Sequence, residues 1–155
     1  MSQRPRSFLQ FLAAALPLLW VGLVIGVSFI ATPAKFKAGP MDGALSLAIS
    51  IVTFAWAHTA ETGFAAALAV VLLGVRIGAL RWLLLAIAAM ALALEITWIL
   101  PGFQGSRGVI PGLPLLDSHQ LHMAFAVLEG AKILALIGLS FIAFRGSDAA
   151  QVTAS

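Results

Sequence analysis

The sequence contains no cysteine and no tyrosine, and only 10% of its 155 residues are charged. Without cysteine the chain can form neither disulfide bonds nor thiolate metal sites. Soluble domains carry about 25% charged residues, so this chain has too few charged side chains to cover a globule in water. It also lacks the lysine- and arginine-rich runs that bind nucleic acid, so no nucleic-acid partner is expected.

Four long apolar runs account for the hydrophobic residues, which make up 61% of the chain. Each run is close to or longer than the ~20 residues that cross ~30 Å of hydrocarbon as a helix. The sequence therefore predicts an all-α, integral membrane, up-down four-helix bundle in one domain of residues 1–155, with membrane lipids around it. We number the predicted helices 1 to 4, at about 8–31, 44–73, 79–100 and 118–144.

The positions of lysine and arginine predict the orientation of this bundle. Five arginines fall at the end that carries both termini, namely Arg4, Arg6, Arg76, Arg81 and Arg145. Three basic residues fall at the opposite end, namely Lys35, Lys37 and Arg107. This bias predicts that both termini are cytoplasmic. The first run is longer than the ~7–15-residue apolar core of a signal peptide, so we expect it to be retained as a membrane helix.

Two local patterns predict where helices end and begin. Helix 1 is expected to end near Thr32, because the residue before Pro33 is disfavoured in the helical conformation. Helix 3 is expected to end at residue 100, and helix 4 to begin with a capping box between Asp117 and Gln120. Residues 101–117 then form the outer loop, which lies in the headgroup region or covers the bundle as a lid.

Helix 1 also carries a small-residue pattern, Gly22-x-x-x-Gly26. Such spacings allow close helix contacts in membranes, so we expect one here, either within the bundle or in a homo-oligomer or larger membrane complex. Trp20 and Trp56 lie too deep in helices 1 and 2 to belong to an interfacial aromatic belt. They are expected to pack in the bundle or to line a cavity.

Seven ionisable residues lie within or at the ends of the apolar runs. They are His58, Glu61, Glu95, His119, His122, Glu129 and Lys132. An ionisable group in the middle of a bilayer costs on the order of 2.5–3.5 kcal/mol, so these residues need partners. At 100° per residue, the four of them in helix 4 fall within an arc of about 140°. This polar stripe is expected to face the interior of the bundle.

Depth along the helices predicts which of these residues meet. His58 and Glu61 lie near the middle of helix 2, level with Glu129 and Lys132 in helix 4. His122 lies about 10 Å nearer the outer end at ~1.5 Å per residue, and Glu95 falls between these depths. The sequence therefore predicts a polar site between helices 2, 3 and 4.

Histidine with carboxylates is a ligand set for transition metals, and helical bundles build metal sites from facing Glu and His side chains. The predicted ligands are His58, Glu61, Glu95, His122 and Glu129. The metal would be iron, copper, zinc or manganese. We expect a metal-dependent protein, and as a finer hypothesis an oxidoreductase that acts on a hydrophobic substrate. Its predicted catalytic groups are Glu61, Glu95, Glu129 and Lys132, where Lys132 would neutralise carboxylate charge or bind an anionic group.

Other interpretations of the same residues remain open. The site could be metal-free and perform acid–base chemistry of the isomerase type on a lipophilic substrate. It could be a proton or ion path in a non-enzymatic subunit or transporter component. It could be structural, with salt bridges between Glu129 and Lys132 and between His58 and Glu61. Haem is disfavoured, because His58 and His122 lie about 10 Å apart in depth.

The sequence resembles a group of small four-helix bacterial membrane proteins that are described as CopD-like or anthrone-oxygenase-like. The resemblance rests on the first helix, "LLWVGLVIG", on Pro33, Lys35 and Phe36 after it, and on Leu121-His122 at the start of the last helix. It implies a protein of the bacterial cytoplasmic (inner) membrane. Of the candidate site residues, only His122 carries over from the resemblance, which leaves the activity open.

Overall fold

The computed structural model describes residues 3–37, 43–75, 78–105 and 116–152, and the side chains within them except those of residues 3–7, 36, 44 and 146–152. Within these ranges, four helices are long and apolar enough to cross a membrane. The spans are Phe8–Lys35, Leu45–Gly74, Ala79–Phe103 and Ser118–Arg145. The prediction of an all-α membrane bundle with four spanning helices is confirmed.

Two of the four helices change their winding along their length. Helix 1 is α-helical over Gln3–Val24, π-helical over Ile25–Ala31 and α-helical again over Thr32–Lys37. Helix 2 is α-helical over Gly43–Gly74. Helix 3 runs through Ala79–Leu94, the π-helix Glu95–Ile99 and Leu100–Phe103. Helix 4 is α-helical over Ser118–Val152.

The helices pack in a ring that follows the order of the chain. Helix 1 packs against helices 2 and 4, and helix 3 also packs against helices 2 and 4. The start of helix 1 meets the end of helix 2 at Leu9 and Gly74, and the start of helix 3 meets the last turns of helix 4, where Arg81 donates to the carbonyl of Ile142. Successive helices therefore run in opposite directions, as expected for an up-down bundle. The second half of each odd-numbered helix then lies level with the first half of each even-numbered helix.

The prolines do not end helices 1 and 3 where the sequence suggested. Helix 1 continues through Pro33 and helix 3 continues through Pro101, in each case directly after a π-helical segment. The wider π turn changes the hydrogen-bond register, so that a new α-helical stretch begins and the proline stands in its first turn. A proline there needs no backbone N–H. At the first junction, the backbone N–H and the Oγ1 of Thr32 both donate to the carbonyl of Val27.

Several side-chain hydroxyls in the spans donate to backbone carbonyls. Thr59 and Thr62 each donate at 2.8 Å to the carbonyl one turn earlier, a bond that hides the hydroxyl within its own helix. Ser140 of helix 4 instead donates to the carbonyl of Ala14 in helix 1, one turn before Pro17. Helix 4 begins with the predicted capping box, in which Asp117 and Gln120 bond each other's backbone N–H groups at 2.8–3.0 Å.

The half of the bundle that is nearer the termini is filled by an apolar core. The largest buried side chains of this core include Leu68 and Leu72 of helix 2 and Leu136 and Leu139 of helix 4. At its upper limit the core reaches Trp20, which is fully buried in helix 1. The polar site lies directly above the core, and the other half of the bundle contains a cavity.

Candidate metal centre

The centre of the site is Lys132, whose side chain is fully buried in the membrane-spanning part of helix 4. Its Nζ lies 2.5 Å from Glu95 Oε2, 2.7 Å from Glu61 Oε2 and 3.1 Å from Glu129 Oε1. The three carboxylates come from helices 2, 3 and 4, as the sequence predicted. One ammonium group therefore joins all three helices at the level of the membrane interior.

Helix 1 also takes part in the site, which sequence reasoning did not predict. The indole Nε1 of Trp20 donates to Glu61 Oε2 at 2.8 Å. Trp20 was expected only to pack or to line a cavity, although its depth in helix 1 matches that of Glu61 in helix 2. The same was expected of Trp56, whose side chain is instead 73% exposed on the surface that faces lipid.

His58 lies beside Glu95 and is almost completely buried. Its Nε2 is 3.5 Å from Glu95 Oε2, too far for a good hydrogen bond. Among the described residues, neither nitrogen of His58 has a hydrogen-bond partner, and the same holds for Glu95 Oε1 and Glu129 Oε2. Buried polar atoms are rarely left without a partner, so these four atoms indicate that a further group belongs at this place.

The charges at the site are not balanced by the described side chains that contact one another there. If the three carboxyl groups are all ionised beside one ammonium and a neutral imidazole, two negative charges remain. Burying uncompensated charge in a membrane is costly. Two positive charges are therefore needed, and either one divalent cation or two protons would supply them.

Three of the residues could hold a metal ion. One ligand atom from each of His58, Glu61 and Glu95 lies within 4.8 Å of the others, and all three residues are buried. Three protein ligands of the nitrogen and oxygen type leave a coordination position open, which is the pattern of catalytic rather than structural zinc sites. Of the predicted ligands, Glu129 lies next to this group and is held there by Lys132.

His122 lies outside the group. It is exposed in the first turns of helix 4, where its Nδ1 is 2.6 Å from the carbonyl of Ser118 and its ring packs edge-on against Phe103. The two-turn separation from Glu129 that the sequence indicated explains this placement, because side chains cannot span it. His119 is also exposed. The structure thus brings together four of the five predicted ligands with Lys132, which the sequence also placed in the site, and adds Trp20.

A cavity of about 760 Å³ leads to the site from the half of the bundle away from the termini. His58, Glu95 and Glu129 form its floor, and the π-helical segments of helices 1 and 3 contribute to its walls. Such segments often occur at functional sites, and here the one in helix 3 begins at Glu95 itself. The cavity therefore gives a molecule access to the atoms that lack partners. The expected lid falls mostly on 106–115, outside the described residues.

In comparisons with known proteins, no family model, curated protein or solved structure matches the chain. The resemblance to CopD-like and anthrone-oxygenase-like proteins therefore stays a prediction. Function has to be inferred from the geometry and charge of the site.

Proposed function

We propose that the protein is a membrane metalloprotein that binds one divalent transition metal ion through His58, Glu61 and Glu95. The single observation that carries the proposal is the buried cluster of three ligand atoms within 4.8 Å of one another. The two positive charges of a divalent ion would also balance the excess negative charge of three ionised carboxylates beside Lys132. The same ion would give partners to the bare nitrogen of His58 and to Glu95 Oε1.

The open side of such an ion would face the cavity, because His58 and Glu95 both belong to the cavity floor. A bound ion could therefore reach a molecule in the cavity while three helices keep water away from its other side. One imidazole and two carboxylates suit zinc, iron or manganese, and copper less well. With iron, manganese or copper the site would support oxidation and reduction of a hydrophobic substrate, and with zinc it would act as a Lewis acid.

Lys132 and Glu129 would adjust this site rather than form it. Lys132 holds Glu61 and Glu95 by one oxygen each, which leaves Glu95 Oε1 for the ion. Glu129 would accept a proton from, or donate one to, a molecule in the cavity, because its Oε2 lacks a partner among the described residues. We place the protein in the cytoplasmic membrane with both termini inside, so that the cavity faces the outer side.

The first experiment is elemental analysis of untagged protein purified in mild detergent. We expect about one equivalent of a transition metal per chain, lost in His58→Ala and Glu61→Gln. His119→Ala and His122→Ala are the matched controls, since both histidines lie outside the ligand group, and they should retain the metal. Helical content and elution volume confirm that each variant is folded. Metal that persists in His58→Ala would contradict the assignment, and loss in His122→Ala would return that residue to the ligand set.

A second candidate is metal-free acid–base chemistry, in which two protons supply the missing charge. The bare nitrogens of His58 and the bare oxygens of Glu95 and Glu129 favour it, since each could exchange a proton with a ligand. Infrared spectroscopy separates the two candidates. A protonated carboxyl band that disappears in Glu129→Gln, in protein that contains no metal, would favour the proton-based site.

A proton or ion path through the membrane is not favoured. Below the site, the bundle is filled by Leu68, Leu136, Leu139 and their apolar neighbours. These described side chains separate the polar cluster from the end that carries the termini. The cavity thus reaches the site from one side only, as a binding site requires and a conducting path does not.

A further inference from the structure

The cavity is long. Along helix 2 its lining extends from Gly43 to His58, which corresponds to roughly 22 Å at the helical rise per residue. This length suits a ligand with an extended lipophilic chain.

The walls of the cavity are apolar and partly aromatic. Phe54 and Phe125 meet edge to face with their ring centroids 5.2 Å apart, and the ring of Phe54 also lies 6.1 Å from that of His58. Phe29 and Leu121 line the cavity further out. Pockets of this type bind the body of a ligand by its apolar surface and orient it with a few polar groups. Here those groups stand at the two ends.

The outer end carries Lys35 and Ser46, and Lys35 donates to the carbonyl of Ser46 at 3.5 Å. At the inner end lie His58, Glu95 and Glu129 with their bare nitrogen and oxygen atoms. Carboxylate oxygens accept hydrogen bonds, and a neutral imidazole donates from one nitrogen and accepts at the other. A ligand group that both donates and accepts hydrogen bonds can therefore partner the most atoms of the cavity floor.

We propose that the cavity binds a single-chain lipophilic alcohol, with its hydroxyl group at the floor beside His58, Glu95 and Glu129. A hydroxyl donates one hydrogen bond and accepts others. The proposal rests on the proposed function, because a divalent ion makes the cluster neutral. A neutral floor favours a neutral hydroxyl over a carboxylate, which would add negative charge. Without the ion, the floor would instead attract a cationic amine.

The test uses photoreactive probes on the full chain in lipid nanodiscs. One probe is hexadecanol with a diazirine in the middle of the chain, and its matched control is the same chain ending in a methyl group. A third probe ends in a carboxylate. Labelled residues are mapped by peptide mass spectrometry, and labelling of the cavity wall around Phe54 and Phe125 is divided by labelling of the lipid-facing Val52. Metal content is measured on the same samples before and after chelation.

We expect the alcohol probe to label the cavity wall about tenfold more than the methyl-terminated probe, since a hydrogen bond to a charged group contributes enough for one decade of affinity. The carboxylate probe should label the wall less than the alcohol. Filling the cavity with Ala126→Trp should remove the preference, whereas Val127→Trp, on the neighbouring lipid-facing position, should keep it. Neither variant alters a proposed metal ligand, so both should retain metal.

The outcomes distinguish a failure of the ligand proposal from a failure of the proposed metal site. Equal wall labelling by the alcohol and methyl probes in metal-loaded protein, or a preference that Ala126→Trp leaves unchanged, would overturn the ligand proposal and leave the metal site standing. A preference for the alcohol that survives chelation would overturn the role of the ion in making the floor favourable to a hydroxyl. Absence of metal from every sample would overturn the proposed function and, with it, the neutral floor on which the choice of an alcohol depends.

Discussion

At the scale of single residues, Lys132 decides how the polar cluster is held. Its ammonium contacts carboxylates from helices 2, 3 and 4, so each of these contacts depends on the same charged atom. A buried ion pair contributes little net stability compared with apolar packing, but removing one partner is costly because the other charge stays buried. In this protein, removal of one lysine leaves three buried carboxylates.

We therefore expect Lys132→Met to destabilise the bundle by about 3–5 kcal/mol. Methionine is also unbranched and only one atom shorter than lysine, so that the loss reports mainly charge rather than volume. The measurement is unfolding in mixed detergent micelles of increasing denaturing strength. Leu134→Met is the control, since Leu134 is 73% exposed and faces lipid, and it should change stability by less than about 0.5 kcal/mol.

A double variant tests whether the loss comes from the cluster. Adding Glu129→Gln to Lys132→Met removes one of the uncompensated carboxylates, so the two changes together should cost less than the sum of the two measured separately. Residues in one charge network usually show coupling of about 0.5–3 kcal/mol. Strict additivity would mean that Glu129 and Lys132 do not interact in the membrane-embedded protein.

Among the described helices, a π-helical segment followed by a proline occurs twice. Helices 1 and 3 each change to π-helical winding shortly before a proline, at Ile25–Ala31 and Glu95–Ile99. Both segments border the cavity. The wider turns place Phe29 and Glu95 on its boundary and let both helices continue beyond their prolines. The prolines thus mark where the winding changes, and they do not mark the membrane surface.

The small-residue pattern of helix 1 gives a second prediction at this scale. A Cβ at Gly22 or Gly26 would meet nothing within 4 Å, so the close contact that was expected within the bundle is absent at these two described positions. Gly22→Ala should therefore stabilise the single chain by about 0.5–1 kcal/mol through its higher helix propensity. Unfolding measurements in detergent would check this, alongside molecular mass by analytical ultracentrifugation.

If the expected helix contact instead forms between two copies of the protein, Gly22→Ala should have the opposite effect. If a second copy packs against Gly22 and Gly26, the added methyl group would separate the helices. A loss of stability together with a fall in molecular mass would then place the partner on this face. Unchanged mass and higher stability would leave the face to lipid.

At the scale of the whole molecule, the bundle is divided into two halves. One half is closed by an apolar core, and the other contains the cavity above the polar cluster. Access to the site from one side means that the orientation in the membrane decides which compartment supplies the ligand. The lysine and arginine bias predicts that this side is the outer one.

Single cysteines can test the orientation, because the chain has none of its own. Gln104→Cys lies at the cavity end and Ser155→Cys at the C-terminus. With a membrane-impermeant maleimide, we expect labelling of Gln104→Cys in intact cells and of Ser155→Cys only after permeabilisation. The reverse pattern would contradict the proposed orientation and place the cavity on the cytoplasmic side.

Much of the architecture follows from local features of the sequence. Apolar runs of sufficient length predict the four spans, and Asp117 with Gln120 predicts the start of helix 4. The depth of Glu61, Glu129 and Lys132 correctly predicts that they meet, because residue number along a helix translates directly into distance across the membrane. Helix ends at Pro33 and Pro101 were predicted wrongly, since each helix passes into π-helical winding before its proline, which the proline itself does not indicate.

The apolar runs alone predict a membrane environment, four helices and a set of ionisable residues that face inwards, because burial of charge in lipid is costly wherever it occurs. The packing of the helices adds that Trp20 bonds Glu61, that one lysine contacts three carboxylates and that His122 stays apart. Each of these depends on how one helix is rotated against another. A membrane helix is apolar on all sides, so this rotation is set by packing against the neighbouring helices. The cavity and its bare polar atoms arise from that packing as well.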